Sequence, residues 1–197
     1  MAQNSKIEWT DHTFNPWVGC TNISPGCDHC YAEAWSKRSG LVKWGNNPRR
    51  HTSEVYWRSP LKWQAASAGF MAKHGRRQRV FCASLADVFD NQVNESWRKD
   101  LFDLIEATPS LDWLLLTKRP QNIARMLPSD WPSNGWNNVW LGTTTEKQEY
   151  FDQRWPMLAS IPAAVRFISY EPAIGPVRLK STGPQPDWLI SGGESGH

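Results

Sequence analysis

Five short apolar runs punctuate the chain from residue 79 onward: RVFCASL at 79–85, DWLLLT at 112–117, NVWLGT at 138–143, VRFIS at 165–169 and DWLIS at 187–191. Each is rich in branched or aromatic side chains and closed by polar or turn residues, the pattern of a buried strand. A weaker sixth candidate lies in HTFNPWV at 12–18. Between them, apolar positions recur at helical spacing over roughly 30–39, 60–75, 95–107, 120–127 and 146–158. Asn91 or Asn94 can cap the third helix with Glu95 in its first turn, and Pro120 suits the opening of the fourth. Strand and helix alternate.

Alternation of this kind implies a parallel sheet with right-handed crossovers, either open and doubly wound or closed into a barrel. No strand is followed by a Gly-rich dinucleotide fingerprint. The strands end instead in polar residues: Ser84 and Asp87, Thr117 and Lys118, Thr143 to Thr145 with Glu146, Ser169 with Glu171, and Ser191 to Glu194. In a β/α barrel all these strand ends open on one mouth, where such residues would assemble a site. The expected fold class is therefore α/β, a partial (β/α)6 TIM-like barrel forming a single domain over residues 1–197. The link YEPAIGPVRLKSTGPQP at 170–186 is too rich in Pro and Gly for a crossover helix, and the chain stops at SGGESGH, just after a strand. Truncation after the sixth strand is the expectation.

Composition changes little of this. A hydrophobic share of 40% and a charged share of 21% are those of a folded globular chain. No run of about 18 apolar residues occurs, and MAQNSKIEWTDH lacks the apolar core of a signal peptide, so no membrane partner and a cytoplasmic location are expected. The net charge of +3 permits an anionic partner without demanding one. Local basic stretches, NNPRRH at 46–51 and KHGRRQR at 73–79, suit phosphate contacts or a solvated face equally. The thirteen Trp are spread along the chain as packing residues, with base stacking as their rival use.

Candidate chemistry concentrates in GCTNISPGCDHCYAE at 19–33, which holds three of the four cysteines. In a reducing compartment such clustering points to metal binding or catalysis rather than disulfides. Cys20, Cys27 and Cys30 are spaced C-x6-C-x2-C, with Pro25 and Gly26 able to turn the loop back on itself. Three thiolates can hold three irons of a 4Fe-4S cluster and leave the fourth open to a ligand. Zinc would need a fourth ligand, for which His29 and His12 are available, but the chain has no second knuckle. Cys82 lies inside an apolar run and reads as core.

Three cysteines after a first strand, the last pair as C-x2-C, resemble the radical SAM superfamily, whose usual first gap is shorter. NPWVGCTNISPGCDHCYAE, FCASLADVFD, LLLTKRP, WLGTTTE, FISYEP and ISGGESG together resemble a phage-associated family of unknown function with this longer spacing. The Ser-x-x-Asp of SLAD is also similar to the DNA-repairing spore photoproduct lyase branch. The resemblance implies a barrel of the radical SAM type in which Cys20, Cys27 and Cys30 bind the cluster and S-adenosylmethionine occupies the open iron. An electron donor would drive its cleavage to a 5'-deoxyadenosyl radical. His29 would pack near the adenine, Ser84 and Asp87 would accept from the methionine amino group, and Thr143, Thr144 and Glu146 would meet ribose and carboxylate. Glu171 would join them. The substrate is open, with nucleic acid or a nucleotide as candidates. For Asp87, Glu146 and Glu171 taken singly, a helix N-terminus or salt bridge explains an acid equally well. The rival reading of the whole chain is a zinc-stabilised nucleic-acid-binding module without catalysis.

Overall fold

The computed structural model describes residues 5–179 and 181–193. Strand β1 (His12–Phe14) runs into β2 (Trp17–Val18), which leaves the main sheet to pair antiparallel with β3 (Arg50–His51). Between β2 and β3 lie the cysteine loop and α1 (Tyr31–Ser39), stopped by Gly40 in the left-handed conformation at φ 64°. Three short helices come next: α2 (Glu54–Trp57), α3 (Ser59–Ala65) and α4 (Ser67–His74). The chain then alternates as expected through β4 (Gln78–Cys82), α5 (Glu95–Glu106), β5 (Leu111–Thr117), α6 (Ile123–Met126), β6 (Val139–Thr144), α7 (Gln148–Ala159), β7 (Val165–Tyr170) and β8 (Trp188–Ser191).

Six strands form one parallel sheet in the order β1-β4-β5-β6-β7-β8. Register aligns Phe14 with Cys82, Cys82 with Leu115, Thr117 with Thr143, Thr144 with Ser169 and Tyr170 with Ser191. All carboxyl ends therefore reach the same edge. A closed β/α barrel takes eight strands; among the described residues no pairing joins β8 to β1, and the architecture is a six-stranded parallel sheet rather than a closed barrel.

The helix expected over 60–75 is two pieces, α3 and α4, with the short α2 ahead of them. Pro60, with no N–H to give, opens α3, and the Ala66 N–H is shared between the carbonyls of Lys62 and Trp63, tightening the junction to α4. The helix expected at 120–127 shrinks to a 3-10 turn and α6, because Leu127 is forced extended by Pro128. Helix α5 is capped by the Asn94 side chain, which accepts from the Ser96 N–H at 2.9 Å. As the Pro/Gly-rich link suggests, no helix lies between β7 and β8 among the described residues.

Strand alternation sorts the core into two faces. Val80, Cys82, Trp113, Leu115, Leu141 and Ile168 are buried with the helical residues Leu101, Phe102, Ile105, Phe151 and Leu158. On the other face Leu114, Phe167 and Ile190 pack with Trp9, Leu116, Trp140 and Trp188. The Arg79 guanidinium lies 5.0 Å from the Trp140 ring centre and 5.2 Å from that of Trp188, a cationic stack inside this aromatic cluster. None of the thirteen Trp is exposed, and Trp17, Trp63, Trp113 and Trp155 are buried in the core. No helix among the described residues is long and apolar enough to cross a membrane.

Candidate functional site

A cavity of about 430 Å³ opens where the strands end. Its rim carries Cys20, Cys27, Cys30 and His29; its walls include Ser84, Asp87, Thr144 and Glu171; and Trp9, Phe81 and Leu116 give it an apolar floor. This volume is that of an ordinary small-molecule site.

The cysteine loop is shaped locally. Gly19 has φ 110°, a conformation that side chains disfavour, donates its N–H to the Leu85 carbonyl at 3.0 Å, and would bring a Cβ to 3.1 Å from the Val42 side chain and 3.2 Å from that of Arg49. A 3-10 turn over Pro25–Cys27 brings the Cys27 N–H to the Ser24 carbonyl at 2.9 Å, and Cys30 then stands at the N-terminal cap of α1. All three thiols are free. Among the described residues no three His, Cys, Asp or Glu side chains are drawn together as a preformed metal site. Two of the sulfurs face local partners instead: Cys20 lies 3.6 Å from an Arg119 Nη and Cys27 3.9 Å from the Ser24 hydroxyl. Burial, reinforced by Asp87 and opposed by Arg119, pushes the Cys20 thiol up to about 11.

The carboxylates divide into two kinds. Asp87 is nearly buried and accepts from the Thr117 hydroxyl at 2.8 Å, the Phe89 N–H at 2.9 Å, the Lys118 N–H at 3.3 Å and Arg119 at 2.9 Å. Glu146 is fully buried and does not line the cavity; it takes the Ser24 hydroxyl at 2.6 Å and Arg154 at 2.9 Å, with the Lys118 ammonium at 3.6 Å. Gly26 permits this contact, since a Cβ there would fall 2.3 Å from the Glu146 Cγ. Glu171 differs. It lines the cavity, no donor among the described residues bonds its carboxylate, and Gly192 makes space for it, a Cβ there lying 2.8 Å from its Oε1.

Of the other expected residues, Thr144 lines the cavity, whereas Thr143 is fully buried and spends its hydroxyl on the Thr117 carbonyl at 2.9 Å. The Ser84 hydroxyl lies 3.0 Å from the Asn15 side-chain nitrogen, and its carbonyl accepts from the Tyr31 hydroxyl at 2.8 Å. His29 is exposed at the rim. His12, the other histidine considered for zinc, is buried elsewhere, 2.6 Å from the Gln78 Oε1 and stacked 4.2 Å from Trp63. Glu194 lies outside the described residues. Sequence reasoning missed Ser24, Asn15, Tyr31 and the anchoring role of Arg119, none of which carries a local signal separate from its neighbours.

The donor set fits a cluster held by three thiolates. One loop places its three cysteines on one cavity, and the space beyond them is lined by the Glu171 carboxylate, which has no hydrogen-bond donor among the described residues, by hydroxyls and by apolar surface. No curated protein matches the chain. Among solved structures it is similar to spore photoproduct lyase. A variant with dinucleoside spore photoproduct aligns with TM-score 0.53 and 14% identity over 86% of this chain and 47% of that one. A variant with bound AdoMet and dinucleoside spore photoproduct aligns with TM-score 0.53 and 13% identity over the same shares. The chain thus spans about half the length of these relatives, and at this identity the likeness is one of fold, that of the radical SAM enzymes. The chain itself belongs to the family described as "Protein of unknown function (DUF5131)", which matches residues 4–197.

Proposed function

We propose that the protein is a radical SAM-like enzyme. Its Cys20, Cys27 and Cys30 hold a 4Fe-4S cluster, and its cavity binds S-adenosylmethionine beside a nucleotide-containing substrate. The observation that carries this is the placement of all three loop cysteines on one cavity at the carboxyl edge of a six-stranded parallel sheet. When bound, the cluster would pass one electron from an external donor to S-adenosylmethionine, breaking its S–C5' bond to leave methionine and a 5'-deoxyadenosyl radical that abstracts hydrogen from substrate. The chain's own groups bind and shield. The free Glu171 carboxylate, with Ser84 and Thr144, meets the cofactor's hydroxyl and amino groups; His29 stands at the mouth; Trp9, Phe81 and Leu116 keep water from the floor. Asp87, Glu146 and Thr143, being spent on protein partners, support the cysteine loop and strand ends.

Charge supports a polyanionic substrate. Residues 34–86 hold eleven Lys and Arg against one acid, Glu54, a balance of +10 in a chain of net +3, so the remainder carries −7. Within that segment Arg38, Lys43 and Arg50 are exposed, and no carboxylate among the described residues pairs with them. The loop they flank packs on the cysteine loop: the Gly45 N–H meets the Cys20 carbonyl at 2.9 Å, and Trp44, bonded to Asn22 at 2.9 Å, lines the cavity. Spore photoproduct lyase, bound to a dinucleoside photoproduct, offers a precedent for this substrate class.

Anaerobic reconstitution with iron and sulfide tests the reading. A brown protein is expected whose reduced paramagnetic signal changes on adding S-adenosylmethionine. Cys27→Ala should abolish assembly and Cys82→Ala should leave it intact. A colourless protein that keeps one tightly bound zinc would sink the proposal in favour of a structural zinc module.

A further inference from the structure

Resting on the cluster assignment, we propose that Arg119 is a positioning residue that holds the Cys20 sulfur by a charged hydrogen bond and, with Asp87, sets the potential at which the site accepts an electron. One Nη of Arg119 lies 3.6 Å from the Cys20 Sγ and 2.9 Å from Asp87 Oδ2, while the other donates to the Thr21 carbonyl at 2.9 Å. The guanidinium thus spans from strand end to cysteine loop, and only 6% of the residue is exposed. Asp87 is in turn fixed by the Thr117 hydroxyl at 2.8 Å and the Lys118 N–H at 3.3 Å.

This pair is unlike the other buried ones. Arg49 pairs with Asp90 at 2.5 Å and Arg154 with Glu146 at 2.9 Å, and neither arginine donates to a thiol among the described residues. A purely structural ion pair therefore does not require the sulfur contact that Arg119 makes. The three cysteines are also unequal, because among the described residues Cys27 has as its partner a neutral hydroxyl 3.9 Å away. Hydrogen bonds to thiolate sulfur and nearby charge are principal determinants of an iron-sulfur potential, and charges act strongly where water is excluded. A cation at Cys20 favours the reduced, more negative state; the Asp87 anion opposes it. Lysine cannot reproduce the fork that reaches sulfur, carboxylate and carbonyl together.

The test is cluster assembly in wild type, Arg119→Gln, Arg119→Lys and Asp87→Asn. It measures iron and sulfide per chain and then the midpoint potential by paramagnetic resonance during reductive titration. Arg119→Gln should load its cluster but shift the potential to more negative values, Arg119→Lys should shift it less, and Asp87→Asn should move it the opposite way. A merely structural role would not reverse sign between the two partners. If Arg119→Gln fails to fold or load, the Arg119→Lys and Asp87→Asn shifts decide the matter. Unchanged potentials in loaded variants overturn the role of Arg119. A wild-type chain that assembles no cluster overturns the assignment beneath it, a failure visible before any variant is compared.

Discussion

Two acids at the strand ends, Glu146 and Glu171, look alike in sequence and differ in what surrounds them. Glu146 has no exposed surface and neutralises Arg154, so Glu146→Gln strands a buried cation and should cost about 3–5 kcal/mol in urea unfolding. Glu171→Gln breaks no hydrogen bond or ion pair among the described residues; it should change stability by less than about 0.5 kcal/mol while weakening the proposed S-adenosylmethionine binding, read by isothermal calorimetry. Equal stability losses in the two would contradict this division. His12 supplies a pH effect. Burial holds its imidazole below the ordinary value of 6.5, against the raising influences of Gln78 and then Asp11. The unfolded chain therefore takes up a proton at higher pH than the folded one, so stability is full above 6.5 and falls as pH drops through it. His12→Gln should flatten that part of the stability profile, measured by denaturant midpoints across the range.

At the level of elements, the strands were legible because burial on both faces leaves uninterrupted apolar runs, as in LLL at 114–116. Their common edge came from the alternation with helices. Less legible were the breaks in α2 to α4, set by one proline and by shared hydrogen bonds, and the departure of β2 into a separate two-stranded antiparallel pair with β3, a pairing between residues far apart in sequence. The site was legible in its cysteines, which carry a spacing signal, and much less so in its acids: nothing local tells that Asp87 will spend its oxygens on Thr117 and Arg119 while Glu171 meets no donor among the described residues. Close approach between strands is equally hidden. Gly142 on β6 admits the Phe167 ring from β7, where an added Cβ would sit 2.3 Å from the ring. Gly142→Ala should cost about 1–3 kcal/mol by overpacking, and Phe167→Leu in the same chain should recover part of it; additive losses would show that the two do not share space.

Over the whole molecule, the separation of charge is larger than the net value suggests, with +10 gathered in residues 34–86 and −7 elsewhere. A minority of that cation is matched by described ion pairs: Lys37 with Glu33, Arg49 with Asp90, Arg76 with Asp11 and Arg77 with Asp112. Of the exposed cations in this segment with no ion pair among the described residues, Arg38 on α1, Lys43 and Arg50 on β3 flank or lie on the loop hydrogen-bonded to the cysteine loop. Phosphates bound there release counterions, so affinity for a single-stranded oligonucleotide should fall with salt at a slope of about 0.7 per phosphate contacted. Reversing all three charges to Glu should weaken binding at low salt and reduce the slope of log affinity against log salt by roughly 2. Lys99→Glu makes the control, since Lys99 is exposed on α5 and already paired with Asp103. A slope that falls equally in this control would mean general attraction to net charge; a slope unchanged by the triple reversal would remove the basic loop from substrate binding and leave the cavity to a free nucleotide or another small molecule.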